Sequence, residues 1–126
     1  SVLLVEDDDV LRTTTHAMLV RLGCQVAACA SAGQALELVD GGGHFDLLCT
    51  DYLLGEMNGV ELATEVRKTH PAMPIVLCSG WTDTRLEAGP FDAYLAKPFT
   101  LQALHGAMDQ AMAAWQGDPQ CSGHCG

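Results

Sequence analysis

Acidic residues and a lysine follow three short apolar runs of this chain. Glu6 and Asp7 follow the first run, Asp51 follows the second, and Lys97 follows the third. If these runs are parallel strands, their carboxyl ends share one sheet edge, where such folds bind ligands. Carboxylates bind Mg²⁺ together with phosphate oxygens, and a lysine ammonium is a compact positive charge that suits a phosphoryl group. The spacing therefore predicts a magnesium and phosphoryl site at a sheet edge.

Strand-like and helix-like segments alternate along the whole chain. The predicted strands are Val2–Val5, Gln25–Cys29, Phe45–Thr50, Ile75–Cys78 and Ala93–Ala96. Apolar residues at helical spacing follow each strand, although residues 82–87 offer only a short, weakly apolar helix. The expected helix caps are Asp8 or Asp9, Ser31, Asn58 and Thr100. Five successive βα units predict an α/β fold with a doubly wound parallel sheet and helices on both faces.

Length and charge limit the kinds of protein that this chain can be. Its 126 residues suit one domain, which we expect over residues 1–115, with a poorly ordered tail over 116–126. The net charge of −10 argues against direct nucleic-acid binding, and no apolar run is long enough to span a bilayer. Because a strand begins almost at the first residue, which is not Met, we expect a fragment of a longer polypeptide.

The cysteines fit a reduced protein. Cys24, Cys29, Cys49 and Cys78 fall on or beside predicted strands, where a thiol behaves as a small buried apolar group. We therefore expect reduced core residues and a cytoplasmic location.

The acidic residues suggest a specific metal chemistry. Asp7 and Asp51 are candidates for direct carboxylate ligands of Mg²⁺, and Glu6 for holding a metal-bound water. The backbone carbonyl of Leu53 is a candidate to complete the set of oxygen ligands around the ion. With the metal offsetting charge repulsion, Asp51 is a candidate phosphoryl acceptor that forms an aspartyl phosphate.

Other polar residues near the strand ends suit the same chemistry, but each also has a plainer explanation. Lys97 and the hydroxyl of Ser79 are candidates to contact the phosphoryl oxygens. Taken alone, however, Asp51 is typical of a helix cap, Ser79 of a turn and Tyr94 of a strand aromatic. Asp8 and Asp9 are better explained as caps and solvated charges than as ligands. Because these residues lie on or directly after strands one, three, four and five of the predicted sheet, a phosphoryl site is favoured over the separate explanations.

Five segments of the chain together form a recognisable family pattern: Val5-Glu6-Asp7-Asp8, Asp46 to Asp51, Met57-Asn58-Gly59, Pro74 to Gly80, and Tyr94-Leu95-Ala96-Lys97-Pro98-Phe99. Through these segments the sequence resembles, over about residues 2–115, the receiver domain of two-component response regulators. The resemblance implies a flavodoxin-like fold with strand order 2-1-3-4-5 flanked by five helices.

The resemblance also implies a role for each matching site residue and a kind of partner. The implied phosphoryl donor is a histidine kinase or a histidine phosphotransfer protein. The domain itself would then catalyse its own phosphorylation and a weak autophosphatase reaction. The implied roles are phosphoacceptor for Asp51, acidic pair for Glu6 and Asp7, phosphate-pairing lysine for Lys97, switch hydroxyl for Ser79 and rotating switch aromatic for Tyr94.

Two departures from the family pattern lie between Ser79 and Lys97. The segment is shorter than is typical, so we expect a stunted helix and an altered output face. The residues Gly-Trp-Thr-Asp that follow Ser79 resemble receivers attached to hybrid sensor histidine kinases. A fragment of a hybrid kinase is therefore the leading hypothesis, and a stand-alone single-domain response regulator is the alternative.

Two other functions remain as weaker hypotheses. A magnesium-dependent phosphohydrolase typically carries a second acid two residues after its nucleophile, where this chain has Leu53, which cannot transfer a proton. An unphosphorylated pseudo-receiver is disfavoured because Asp51, Asp7 and Lys97 are all present.

Three further expectations concern the surroundings of the site. Leu53 and Trp81 should border the path of a hydrolytic water and, being apolar, should make self-dephosphorylation slow. The resemblance suggests a cis peptide between Lys97 and Pro98. The tail carries three soft metal ligands where a structural zinc site usually needs four, so zinc binding is disfavoured; they are Cys121, His124 and Cys125.

Overall fold

The computed structural model describes residues 1–52, 54–55, 57–79, 91–97 and 99–113. Within them the strands form one parallel sheet in the order β2-β1-β3-β4-β5, which confirms the predicted fold class and strand order. The predicted short helix over residues 82–87 and the tail over 116–126 lie outside the described residues. The elements are β1 (Val2–Val5), α1 (Asp9–Arg21), β2 (Val26–Cys29), α2 (Ala32–Asp40), β3 (Leu47–Asp51), α3 (Gly59–Thr69), β4 (Ile75–Ser79), β5 (Ala93–Ala96) and α4 (Leu101–Ala113).

The sheet separates the core into two apolar clusters. Successive strand residues point to opposite faces, so Leu3 and Val5 belong to one cluster and Val2 and Leu4 to the other. The first cluster is completed by α2 and α3, and the second by α1 and α4. Both faces are thus buried, which explains why the strands read as continuous apolar runs rather than alternating ones.

Side-chain caps begin the helices where the sequence predicts them. Asp8, rather than Asp9, caps α1 by accepting a hydrogen bond from the Leu11 amide at 3.0 Å. Ser31 caps α2, and Asn58 forms a reciprocal capping box with Glu61 at the start of α3. The Thr100 hydroxyl accepts a hydrogen bond from the first turn of α4 at 3.0 Å. These caps fix where each helix leaves the carboxyl edge of the sheet.

The apolar residues of α1 do not all face the core. Val10 is 73% exposed and Leu11 is 41% exposed, although both fit the helical spacing of the apolar residues in this segment. Thr15 and Leu19 are instead the buried residues of this helix. Helical spacing of apolar residues therefore does not by itself identify the buried face of α1.

The four cysteines of the described residues are free, as expected. Cys29, Cys49 and Cys78 are buried, whereas Cys24 is half-buried. The Sγ atoms of Cys49 and Cys78 lie 3.4 Å apart on neighbouring strands. Within the described part of the chain, no helix has the length and apolar character required to cross a membrane.

Candidate functional site

The structure brings three acidic side chains together at the carboxyl edge of the sheet. One carboxylate oxygen from each of Glu6, Asp7 and Asp51 lies within 4.8 Å of the others. The strand register explains this: because Val5 pairs with Thr50, Glu6, which follows β1, comes beside Asp51, the last residue of β3. Glu6 is buried, Asp51 is half-buried and Asp7 is exposed, so the cluster faces solvent on one side.

Lys97 follows β5 and places its ammonium among these carboxylates. Its Nζ lies 2.5 Å from Glu6 Oε1 and 3.2 Å from Asp51 Oδ1, and its side chain is only 16% exposed. Burial alone lowers the pKa of Lys97, but the hydrogen bond to Glu6 and the charges of both carboxylates outweigh it, so the pKa is raised. The ammonium therefore stays charged and offsets part of the negative charge of the cluster.

Backbone amides hold the carboxylates of Asp51 and Glu6 in place. The Tyr52 amide donates to Asp51 Oδ1 at 2.9 Å, and the Asp8 amide approaches Glu6 Oε2 at 3.3 Å. Both oxygens of Glu6 thus have a partner, whereas Asp7 remains exposed. Hard oxygen donors of this kind are the ligands that Mg²⁺ prefers, so the residues present fit a magnesium ion.

Gly59 permits a close approach that sequence reasoning did not assign. A Cβ atom at this position would lie 2.7 Å from the carbonyl oxygen of Asp51 and 3.1 Å from Leu77 Cδ1. The Gly59 amide also donates to the Tyr52 carbonyl at 2.7 Å. Only glycine allows the first turn of α3 to pack directly against the backbone at the end of β3. The sequence signal was the segment Met57-Asn58-Gly59, which matched the family without revealing this contact.

Arg12 is a second neighbour of the site that sequence reasoning missed. Its Nη1 donates to the carbonyl oxygen of Glu6 at 2.9 Å, and its Nη2 pairs with the carboxylate of Asp9. The pair with Asp9 has the ordinary helical spacing of three residues and explains Arg12 without the bond to Glu6, which residue spacing does not indicate.

Beneath the carboxylates the described residues leave little room. The cavity between Glu6, Asp51, Thr15 and Cys78 has a volume of about 10 Å³. This is space for about one water molecule. The room for a phosphoryl group beside Asp51 is therefore on the solvent side of the sheet edge.

Tyr94 lies on β5, outside the carboxylate cluster. It is 36% exposed, and its ring packs edge to face on Phe91 with the ring centroids 5.8 Å apart. Ser79 ends β4 and pairs in register with Ala96, but its side chain lies outside what the structure describes. Further residues to which the sequence assigned a role lie outside the described residues: Leu53, Trp81, Pro98, Cys121, His124 and Cys125.

Comparison with known proteins identifies the family. The family model for the response regulator receiver domain matches residues 2–109. The sensor kinase CckA of Brucella abortus is 38% identical over 109 residues, which are 82% of this chain and 12% of that protein. The transcriptional regulatory protein ZraR of Escherichia coli K12 is 34% identical over 117 residues, 88% of this chain and 26% of that protein.

Solved structures agree with this result. The receiver domain of an HD domain-containing protein from Pseudomonas fluorescens Pf-5 superimposes with a TM-score of 0.82 at 27% identity, covering 93% of this chain and 97% of that one. This chain belongs to the response regulator receiver domain family and so is a receiver domain of two-component signalling. It spans only 12% and 26% of the two curated relatives described above.

Proposed function

We propose that this domain accepts a phosphoryl group on Asp51 in a Mg²⁺-dependent reaction. The observation that carries the proposal is the meeting of Glu6, Asp7 and Asp51 within 4.8 Å, with Lys97 Nζ 3.2 Å from Asp51. Asp7 and Asp51 would bind the metal directly, Glu6 would hold a metal-bound water, and the carbonyl of Leu53 would complete the set. When bound, Mg²⁺ supplies positive charge that offsets the repulsion between the carboxylates and an incoming phosphate.

The donor that we propose is the phosphohistidine of a histidine kinase or of a histidine phosphotransfer protein. A carboxylate oxygen of Asp51 forms a bond to phosphorus while the nitrogen–phosphorus bond to the imidazole breaks. The imidazole nitrogen keeps the electron pair and takes a proton from water. Because the cavity beneath Asp51 is so small, the donor must approach from outside, as a side chain presented by another protein surface can do.

Lys97 would stabilise the charge of the transferred group. Its long stem allows the ammonium to move from Glu6 to a phosphoryl oxygen with little displacement, since it already lies between Glu6 and Asp51. Ser79 and Tyr94 would form the switch, in which the hydroxyl is drawn towards the phosphoryl group and the aromatic ring turns. Leu53 and Trp81 would limit access of water and make self-dephosphorylation slow.

For the parent protein we propose a hybrid sensor histidine kinase in the cytoplasm, with this receiver over residues 1–115 and a tail over 116–126. The similarity to the sensor kinase CckA supports this context, and the similarity to the regulator ZraR supports the alternative of a separate response regulator. The coding sequence upstream of Ser1 tests the choice: a sensor and an ATP-binding kinase core there are expected, and their absence would contradict the hybrid assignment.

Phosphorylation by a small donor tests the acceptor directly. With acetyl phosphate and Mg²⁺, we expect mass spectrometry to find one phosphoryl group on Asp51, and none after addition of EDTA. Asp51→Asn should abolish the label. Asp46→Asn is the matched control, because Asp46 precedes the same strand and its side chain is 55% exposed beside the amino terminus. Labelling of the Asp51 variant at another residue would refute the assignment, and an unlabelled wild type would favour a pseudo-receiver.

A further inference from the structure

Arg12 connects the first turns of α1 to the acidic pair. The guanidinium donates to the carbonyl oxygen of Glu6 at 2.9 Å while pairing with Asp9. Its side chain is 22% exposed, whereas the side chain of Asp9 is 87% exposed. The bond to Glu6 is thus the better shielded of the two contacts, which makes it the less screened by solvent.

The hydrogen bond from Arg12 to the Glu6 carbonyl affects the orientation of the next residue, Asp7. A peptide unit is planar, so the orientation of the Glu6 carbonyl also fixes the N–H and Cα of Asp7. The Glu6 amide is held separately, by donating to the Cys29 carbonyl at 3.0 Å. Both backbone groups of Glu6 are thus bound, which restricts the turn from β1 to α1. Asp7, which is exposed, has no comparable burial to hold its carboxylate in place.

We propose that Arg12 is a positioning residue that aims the Asp7 carboxylate at the metal through the Glu6 carbonyl. This inference rests on the proposed function, since it assumes that the acidic cluster binds Mg²⁺. Among the described residues, no hydrogen bond or ion pair joins Arg12 to a carboxylate oxygen of the cluster. Its role is to restrict the turn that carries two of the three acidic residues.

The direction in which Mg²⁺ affinity changes on removal of Arg12 distinguishes a positioning role from a purely electrostatic one. A guanidinium near the cluster repels a divalent cation, so if Arg12 acted only as a charge, its removal would strengthen Mg²⁺ binding. If it positions the turn, its removal weakens binding, as loss of a group that orients a metal ligand usually does. The two roles therefore predict opposite changes.

The experiment measures the dissociation constant of Mg²⁺ for the full chain by isothermal titration calorimetry at fixed ionic strength. Arg12→Met keeps the apolar stem and removes the donors, and we expect it to weaken Mg²⁺ binding by about tenfold. Arg12→Lys keeps one donor and should recover part of this loss. Arg21→Met is the matched control: it removes the same charge from the last turn of α1, about 13 Å along the helix, and should change affinity little.

A second measurement requires no metal. Amide hydrogen exchange in EDTA should be faster at Asp7 and Asp8 in Arg12→Met, while the central strands keep the protection seen in the wild type. If Arg12→Met fails to fold, the comparison of Arg12→Lys with the wild type decides. A Lys variant that binds Mg²⁺ at least as tightly as the wild type, without faster amide exchange, would refute the positioning role of Arg12.

Unchanged or tighter Mg²⁺ binding by a folded Arg12→Met would overturn the inference and leave the proposed function intact. A wild-type protein that binds no Mg²⁺ would overturn both the inference and the proposed function. This outcome differs from failure of the inference alone, because it is seen in the wild type without any substitution.

Discussion

At the scale of single residues, Cys78 shows how the region beneath the site is kept uncharged. Cys78 is Asp51's register partner on the neighbouring strand, and it is buried. The contact with the Cys49 thiol, followed by burial, raises the pKa of Cys78 well above its ordinary value. The thiol therefore stays neutral and adds no negative charge to the acidic cluster.

The raised pKa predicts a loss of stability in alkali. In the unfolded chain a thiol ionises near pH 8.5, whereas folding holds Cys78 neutral. Its contribution to the free energy of unfolding is therefore complete below about pH 8.5 and is lost as the pH rises towards the folded-state pKa. Urea denaturation under reducing conditions should show this decline in the free energy of unfolding. The decline with pH should be shallower in Cys78→Ala, which has no thiol to ionise at this position. That variant should also be less stable at neutral pH, because removal of the thiol leaves a cavity. An equal slope in both proteins would contradict the prediction.

Individual site residues differ in how far the sequence predicts them. Glu6 and Lys97 directly follow strands and Asp51 ends one, so the rule that parallel strands end at one edge was enough to place them together. Arg12 and Gly59 could not be assigned in this way, because each acts on the backbone of a residue outside its own helix. Such contacts depend on how a helix packs, which residue spacing does not specify.

At the scale of elements, Asp92 joins three segments through one carboxylate. Its Oδ2 accepts from Arg67 Nη2 at 2.7 Å and from the Ile75 amide at 2.8 Å. Arg67 lies on α3, Ile75 begins β4 and Asp92 precedes β5. The side chain of Asp92 is only 12% exposed, so water cannot readily replace these bonds.

We expect Asp92→Ala to lower the free energy of unfolding by about 2–4 kcal/mol, because it leaves a partly buried guanidinium and a backbone amide without this acceptor. Asp92→Asn keeps one acceptor and should cost less. Urea denaturation gives the values, with Asp46→Ala as the control, since the exposed pair of Asp46 with the amino terminus should contribute less than about 1 kcal/mol. A loss for Asp92→Ala no larger than that of the control would show that the carboxylate does not join these elements.

The elements also show where periodicity is a good guide and where it fails. Apolar runs predicted the alternation of strands and helices along the chain. Local capping chemistry predicted the caps at Ser31, Asn58 and Thr100. The burial of the first turn of α1 was not predicted in this way, because Val10 and Leu11 have the spacing of core residues but are exposed. Periodicity identifies the helix, whereas spacing alone does not decide which of its apolar residues are buried.

At the scale of the whole molecule, the net charge of −10 and the acidic cluster both oppose folding. Any ion that binds the folded chain alone stabilises it, by about 2.7 kcal/mol at a free concentration of 100 times its dissociation constant. The proposed Mg²⁺ site should therefore appear in the stability of the domain as well as in its phosphorylation.

Thermal unfolding should show an increased midpoint when Mg²⁺ replaces EDTA at matched ionic strength. In Asp7→Asn the midpoint in EDTA should rise, because like-charge repulsion with Glu6 and Asp51 is relieved, while the increase given by Mg²⁺ should shrink. Matched ionic strength is needed because salt alone screens the overall charge. An Asp7→Asn protein that gains as much from Mg²⁺ as the wild type would exclude Asp7 as a ligand.

The order of the strands also divides the site by how tightly each part is held. Glu6 and Asp7 follow β1 and Asp51 ends β3, and both strands have a neighbour on each side, so the amides of these strands should exchange with solvent only when most of the sheet opens. Lys97 follows β5, which in the described sheet is hydrogen-bonded to β4 alone. We expect fraying of that single edge to withdraw the ammonium while the three acids stay in place. The positive and negative halves of the site should then open in separate equilibria.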